Sequence, residues 1–111
     1  MAIYSLLESD SHLLKFPLEG VSEECQRQKL QDDLIETMKN FHGLGLSANQ
    51  VGIQERVFVM YTKFEEREAT ACFNPKITHY GEAEVIMEEG CLSFPGLSLK
   101  VKRPYLSLIH I

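Results

Sequence analysis

The sequence predicts an α+β fold in which an N-terminal helix packs on short, mostly antiparallel strands. Apolar residues recur at helical spacing in the first part of the chain, at Leu30, Leu34, Met38 and Phe41. After residue 56, short segments rich in β-forming residues alternate with turn residues. One helix followed by several strands is typical of α+β proteins. The length of 111 residues leaves room for a single domain.

The first forty residues are expected to form an arm and then the helix. Residues 1–20 predict an irregular arm whose Leu13, Leu14 and Phe16 pack on the body. Ser22 is a suitable N-cap for a helix that runs to Phe41 and is ended by Gly43. The acidic residues of this helix are expected to lie in solvent, namely Glu23, Glu24, Asp32, Asp33 and Glu36.

Several strand-like segments follow the helix. Residues 57–61 predict a buried strand, and residues 63–70 a charged loop. Residues 90–96 are expected to form a loop or bulge that carries Cys91. The other predicted strands and turns are strands at 76–80, 82–88 and 101–111 and turns at Asn74-Pro75 and Gly81.

Composition and charge exclude several classes of partner. The net charge is -5 and no basic stripe is available to contact phosphates, so no nucleic-acid binding is expected. No long apolar stretch and no secretion signal is visible, which predicts a cytoplasmic protein without a membrane contact. The odd number of cysteines argues against a disulfide framework, so Cys25, Cys72 and Cys91 are judged one by one.

Two segments carry residues that could do chemistry. The first, Gly-Leu-Gly-Leu-Ser-Ala-Asn-Gln from Gly43 to Gln50, lets backbone approach a ligand closely. A nucleotide-binding loop is excluded because the helix precedes the glycines. The second, Glu-Gly-Cys-Leu-Ser, places Cys91 where a thiolate could bind a metal or act as a nucleophile. Taken singly, each also fits a plain structural role, with Gln50 on a surface turn and Cys91 an inert buried thiol.

Together, the two segments resemble the first two signatures of the peptide deformylase family. Gly43 to Gln50 resembles the first, with Ser47 in place of the more common alanine, and Glu89 to Ser93 matches the second. The resemblance covers residues 8–105. It implies a cytoplasmic metallohydrolase, monomeric when complete, that removes the formyl group from the N-terminal methionine of new proteins. Its partners would be N-formylmethionyl peptides of nascent chains near the ribosome.

The resemblance implies a role for each matched residue. Cys91 would be a metal ligand, while the Gln50 amide and the Leu92 backbone N–H would donate to the formyl oxygen. Gly45 would hydrogen-bond the peptide backbone. The residues that line the substrate cleft would be Gly43, Gly45, Leu46 and Gly90. The cofactor would be a divalent metal, Fe2+ before Zn2+, Ni2+ or Co2+, which lowers the pKa of its bound water.

The family's third signature, His-Glu-x-x-His, does not occur in these 111 residues. In the family, its histidines complete the metal site and its glutamate is the general base. A catalytic site usually needs three protein ligands, so we expect these residues to lack the metal-binding helix, to bind no metal stably and to be inactive and poorly stable. Arg103 is expected to support the substrate side or Glu89.

The last six residues, Leu-Ser-Leu-Ile-His-Ile, are what one reading frame of a common sequencing-library transposon end would encode. We therefore expect a partial deformylase domain at 1–105 and adapter read-through at 106–111, and we do not offer His110 as a ligand. A real strand is the alternative, because polar and apolar residues alternate there.

Two other functions stay open. One is a short non-catalytic protein of the deformylase fold that binds formyl-Met peptides or a partner. The other is an enzyme that uses Cys91 as nucleophile with His42 or His79. Reaction with a thiol reagent distinguishes a nucleophilic Cys91 from a metal-ligand Cys91, because a cysteine bound to metal is protected from the reagent.

Overall fold

The computed structural model of the protein describes residues 3–15, 17–18, 20, 26–63, 65–104 and 107–110. Helix α1 (Arg27–Asn40) precedes all the strands, and 3₁₀ turns lie at His12–Leu14 and Ala48–Val51. The strands are β1 (Gly45–Ser47), β2 (Val57–Lys63), β3 (Glu68–Phe73), β4 (Lys76–Tyr80), β5 (Glu84–Cys91), β6 (Phe94–Pro104) and β7 (Ser107–His110). All pairings are antiparallel, in the orders β1-β2-β3, β4-β7 and β5-β6. The predicted α+β class is confirmed.

Helix α1 buries its predicted apolar stripe against the β1-β2-β3 sheet. The side chains of Leu34 and Met38 have no exposed surface, and they share the core with Leu46, Val57 and Val59 of the sheet. Burying a side chain of this size contributes about 2 kcal/mol, so this layer stabilises the packing of α1 on the sheet.

The helix begins later than the sequence predicts. Gln26 has a non-helical backbone (φ -84°, ψ 87°) and makes no side-chain capping bond, so α1 begins at Arg27. Residues 26–29 are exposed, and Leu30 is the first buried residue of the helix, so no packing favours an earlier turn in this part of the chain. The predicted N-cap Ser22, together with Glu23, Glu24 and Cys25, lies outside the described residues. The predicted end at Phe41 is confirmed, but the left-handed residue that follows it is His42 (φ 57°) and not Gly43.

The expectation that all acidic residues of the helix are solvated is wrong for Asp33, which is only 2% exposed. Its carboxylate accepts hydrogen bonds from the Tyr4 hydroxyl (3.0 Å) and from Lys29 Nζ (2.5 Å). The Tyr4 N–H donates to Thr37 Oγ1 at 3.0 Å. A buried carboxylate needs such partners, and one of them, Tyr4, comes from the N-terminal arm, which helical periodicity does not reveal.

The charged loop before β3 is shorter than predicted, because pairing with β2 extends β3 back to Glu68. The predicted turn at Asn74 is confirmed, with φ 52° in the left-handed region that asparagine tolerates. Residues 90–96 form a tight hairpin with a bulge, which is one of the two predicted alternatives. This hairpin brings Cys91 to one end of the β5-β6 ribbon.

Strand β7 pairs with β4, with Ile77 opposite Ile109. Residues 107–110 thus have extended backbone, as the strand alternative for this segment requires. The pairing of two strands does not show whether residues 106–111 are encoded by the gene or by a sequencing adapter. The predicted boundary between residues 105 and 106 therefore stays a prediction. Phe16, Tyr105, Leu106 and Ile111 lie outside the described residues. In the part of the chain that is described, no helix combines the length and apolar character needed to cross a membrane.

Candidate active site

The Gln50 side chain is fixed by the turn that follows β1. Ser47 is the N-cap of the Ala48–Val51 turn, and its side chain and that of Gln50 form a capping box. The Ser47 N–H donates to Gln50 Oε1 at 2.9 Å. A backbone N–H can only donate, so the oxygen of the amide faces Ser47 and the Nε2 group faces the opposite way.

The Nε2 group of Gln50 points at the β5-β6 hairpin. It donates to Ser93 Oγ at 2.9 Å and lies 3.5 Å from Cys91 Sγ. The amide at position 50 and the sulfur at position 91 therefore meet in one place, as the resemblance requires, although 41 residues separate them in the chain.

The bulge in the hairpin explains how Cys91 reaches this place. Gly90 pairs with Ser98, but the next residue, Cys91, pairs with Phe94, so the register shifts between positions 90 and 91. Gly96 has φ 78°, a left-handed conformation that favours glycine and lets the returning strand follow the bulge. The Cys91 thiol is left exposed. Cys72, in contrast, is buried, and burial raises the pKa of its thiol, so it is an inert packing residue.

A cavity of about 630 Å³ opens between the β1 segment and the hairpin. Its polar side is formed by Gln50 and Cys91, and its apolar side includes Leu6, Phe41 and Phe94. The other predicted site residues that line it are Gly43, Gly45, Gly90 and Leu92. The volume falls within the range of small-ligand sites, about 300–1,000 Å³.

Gly43 is required by the close approach of Leu92. A Cβ atom on Gly43 would lie 2.5 Å from Leu92 Cδ1, well inside contact distance. The absence of a side chain at position 43 therefore lets Leu92 settle against the end of α1, where it packs against the core. This contact fixes the position of the Leu92 backbone beside Cys91.

Gly45 presents its backbone groups to the edge of the sheet. The Tyr61 N–H donates to the Leu44 carbonyl, and Gly45 is opposite Met60. Because hydrogen-bonded and non-hydrogen-bonded pairs alternate in an antiparallel ladder, the N–H and C=O of Gly45 are directed away from β2. Leu46 is different, because its side chain is 2% exposed and belongs to the core. It does not line the cavity in the described structure.

Arg103 forms a two-pronged ion pair with Glu89. Arg103 Nε lies 2.8 Å from Glu89 Oε2, and Nη2 lies 2.7 Å from Oε1. The hydrogen bonds from this guanidinium hold the pKa of the Glu89 carboxyl below its usual value. Of the two roles expected for Arg103, the contact with Glu89 is the one seen. It joins the two strands of the hairpin next to the cysteine.

The described residues do not by themselves fit a catalytic metal. Within them, no group of three His, Cys, Asp or Glu side chains is placed to hold an ion. Cys91 offers a single sulfur donor, and such sites usually need three protein ligands. His42 lines the cavity, but the hydrogen-bond partner of Cys91 in the described part of the chain is the Gln50 amide rather than His42 or His79.

Residues 3–108 match the family model of polypeptide deformylase. The chain belongs to the polypeptide deformylase family.

Named relatives agree with the family match. The peptide deformylase of Thermodesulfovibrio yellowstonii is 42% identical over 106 residues, which are 93% of this chain and 64% of the relative. The chain thus spans just under two thirds of the length of that deformylase. The crystal structure of the Thermotoga maritima peptide deformylase superposes with a TM-score of 0.85 at 31% identity, covering 94% of this chain and 69% of that one. The Ehrlichia chaffeensis peptide deformylase, solved with actinonin, gives 0.84 at 31% identity, covering 98% and 74%.

Sequence reasoning gave no role to Ser93 and treated Ser47 as a small departure from the deformylase signature. The structure places both hydroxyls on the Gln50 amide. The signal that could have found Ser47 is its N-cap position three residues before a glutamine, which is the spacing of a capping box. No local signal in the sequence points Ser93 at Gln50.

Proposed function

We propose that this chain provides the carbonyl-binding side of a peptide deformylase active site, which hydrolyses the formyl group from the N-terminal methionine of newly made proteins. The observation that carries the proposal is the approach of Gln50 Nε2 to Cys91 Sγ, 3.5 Å apart at the wall of one cavity. The proposed substrates are N-formylmethionyl peptides, met in the cytoplasm close to the ribosome by a monomeric enzyme.

In this proposal, Gln50 and Leu92 stabilise the oxygen of the formyl group. Attack on the formyl carbon moves negative charge onto that oxygen, and donors that are already aimed at it lower the barrier. The Gln50 amide and the Leu92 N–H would supply two such donors, each contributing about 3 kcal/mol in comparable sites. The Gln50 amide is held from both ends before substrate arrives, so little reorganisation is needed at the moment of reaction.

The peptide would lie in extended form along β1. The outward N–H and C=O of Gly45 suit pairing with a peptide strand. Backbone hydrogen bonds of this kind do not depend on the side chains of the peptide, so they can bind peptides of different sequence. Gly43 and Gly90 also line the cavity and add no side chain of their own to it. The proposed contribution of Leu46 is limited to its backbone, because its side chain lies in the core. The small space beside Gln50 would admit formyl and exclude acetyl by size.

Cys91 is proposed as one ligand of a divalent metal, with Fe2+ first and Zn2+, Ni2+ or Co2+ as substitutes. A thiolate suits soft divalent ions of this kind. In the family, the remaining ligands and the general base come from the His-Glu-x-x-His signature, which does not occur in the 111 residues, so these residues alone are expected to be inactive. The part of the mechanism that the described residues carry is therefore the binding and orientation of the substrate.

A binding experiment tests the proposal without needing turnover. The ¹⁵N-labelled chain is titrated with formyl-Met-Ala-Ser, acetyl-Met-Ala-Ser and Met-Ala-Ser while the Gln50 side-chain NH₂ and Leu92 N–H signals are followed. We expect the formylated peptide alone to shift both signals, and the Gln50→Ala variant to lose the shift at Leu92. Equal shifts with all three peptides, or shifts that avoid residues 43–50 and 90–97, would contradict the proposal.

A further inference from the structure

We propose that Ser47 and Ser93 are positioning residues that hold the Gln50 carboxamide in one rotational state, with a single N–H left to face the place beside Cys91. The inference rests on the proposed function, because that N–H is the group assigned to the formyl oxygen. It goes beyond the family signature at position 47, where Ser47 stands in place of the more common alanine.

Ser47 acts on the oxygen of the amide. Its N–H donates to Gln50 Oε1 at 2.9 Å, and its hydroxyl lies 3.1 Å from the same oxygen but has a single proton, for which Asn49 competes. The hydroxyl also lies 2.7 Å from Asn49 Oδ1. With alanine at position 47, the backbone donor would remain and the hydroxyl donor would be absent. The backbone N–H is therefore the main donor to the Gln50 oxygen, and the serine hydroxyl adds a second one only while its proton is not given to Asn49.

Ser93 acts on the nitrogen of the amide. Its hydroxyl is 2.9 Å from Gln50 Nε2, and the residue is only 6% exposed, so water competes little for this hydrogen bond. An amide nitrogen carries two hydrogens, and Ser93 takes one of them. The other is directed towards Cys91 Sγ, 3.5 Å away, at the wall of the cavity.

The consequence is that a flipped amide would be disfavoured at the end that faces Ser47, whose backbone N–H can only donate. A half turn about the last side-chain bond would point NH₂ at the Ser47 N–H, placing two donors face to face. It would also remove the N–H from the cavity. The Ser47 N–H thus selects the orientation in which Gln50 can donate to a carbonyl beside Cys91, and the Ser93 hydroxyl accepts from the amide in that orientation and restrains it.

The Gln50 side-chain NH₂ signals of the ¹⁵N-labelled chain test this without peptide. In Ser93→Ala, we expect one of the two protons to exchange with solvent roughly fivefold faster, because its acceptor is gone. Ser93→Thr, which keeps the hydroxyl, is expected to restore the slow exchange. Ser47→Ala is expected to increase the mobility of the Gln50 side chain while the Ser47 N–H bond persists. Ser98→Ala is the matched control, because Ser98 lies on the same hairpin and bonds Glu88 instead.

The outcomes separate this proposal from the proposed function. Unchanged Gln50 signals in both Ser93→Ala and Ser47→Ala, with the core signals of Leu34 and Val59 in place, would overturn the positioning roles. If Ser93→Thr does not restore the slow proton exchange that Ser93→Ala removes, the role of the Ser93 hydroxyl is overturned. If the Ser variants behave as expected but formyl-Met-Ala-Ser shifts nothing, the positioning stands and the deformylase assignment of this site fails. If Ser93→Ala loses the core signals because it does not fold, the mobility of the Gln50 side chain is compared between Ser47→Ala and the parent. Increased mobility in Ser47→Ala supports the positioning role, and unchanged mobility overturns it.

Discussion

Asp33 shows how strongly a single residue can depend on a distant segment. Its buried carboxylate is bonded by Lys29 from the preceding turn of α1 and by Tyr4 from the N-terminal arm. The sequence pattern marks Asp33 as a helix residue among other acidic residues and gives no sign of the arm that covers it. Its burial could be predicted only once the arm had been placed.

Replacing Asp33 with alanine is expected to lower the free energy of unfolding by about 1–3 kcal/mol, because the Tyr4 hydroxyl loses its acceptor in a half-buried place. The Lys29 ammonium is mostly exposed and can return to water, which keeps the effect below that of a fully buried pair. Urea unfolding measures the change. Asp32→Ala is the control, and an equal loss in both variants would contradict the account.

The same cluster predicts a loss of stability at alkaline pH. Burial, then the hydrogen bond to Asp33, raises the pKa of the Tyr4 phenol above 10.0, and the hydrogen bond to Asp33 raises the pKa of Lys29 above 10.5. Both groups keep their protons more tightly when folded, so their contribution is complete below these values. It is lost as pH rises through the folded pKa values.

We therefore expect the midpoint of urea unfolding to fall above pH 10, and to fall less in Tyr4→Phe, which has no phenol proton to lose. Spectroscopic titration of the tyrosines should show one step fewer at the high-pH end in that variant. A Tyr4→Phe protein with the same alkaline profile as the parent would show that Tyr4 takes no part in it.

Among the elements, the turn after α1 and the β5-β6 hairpin are coupled by the contact of Gly43 with Leu92. In Gly43→Ala, the added methyl group would collide with Leu92 Cδ1, so the Leu92 backbone must shift. We expect affinity for formyl-Met-Ala-Ser to fall several-fold, by displacement of the donor N–H. The affinity is measured by following chemical shifts of the ¹⁵N-labelled chain as formyl-Met-Ala-Ser is added.

The double variant Gly43→Ala/Leu92→Ala removes the Leu92 side-chain atom that collides with the new methyl group, but it keeps the backbone N–H of residue 92. It is expected to recover most of the affinity. Equal weakness of the single and double variants would mean that the collision is not the cause.

The elements also show what local sequence can predict. Strand β2 follows from its dense run of β-forming residues, and α1 ends at its last apolar position. The left-handed residue that ends the helix is His42 (φ 57°), however, and not the predicted Gly43. The start of α1 and the extent of β3 depend on packing and pairing with other segments. A loop or bulge was predicted at residues 90–96, and a bulge is found, but its position between Gly90 and Cys91 depends on the register of β5 against β6, which the sequence does not give.

At the scale of the molecule, much apolar surface is exposed. The large apolar side chains that are more than 40% exposed include Ile77, Tyr80, Ile86, Met87, Phe94, Leu97 and Leu99, all on the last strands. Surface of this kind favours self-association. We expect the 111-residue chain to associate with increasing concentration and to bind an apolar fluorescent dye. The triple variant Met87→Ser/Leu97→Ser/Leu99→Ser should do both less. A monomeric, dye-free parent at high concentration would contradict this.

The fold class followed from the order of helix and strands, but the meeting of Gln50 with Cys91 did not. Those residues were paired by the resemblance to the deformylase signatures, because no spacing rule links two segments that are forty residues apart. The structure supplies the physical reason, which is that β1 and the β5-β6 hairpin form the two walls of one cavity. Only that arrangement makes the two short motifs a single site.

The most direct test of this site is hydrolysis by a hybrid in which residues 1–105 are joined to the part of the Thermodesulfovibrio yellowstonii deformylase beyond the matched region. The hybrid should release formate from formyl-Met-Ala-Ser, and Gln50→Ala should lower kcat/KM by about 100-fold or more. Gln54→Ala, the same change at an exposed position, should leave kcat/KM unaltered. Full activity in the metal-loaded Gln50→Ala hybrid would contradict the account.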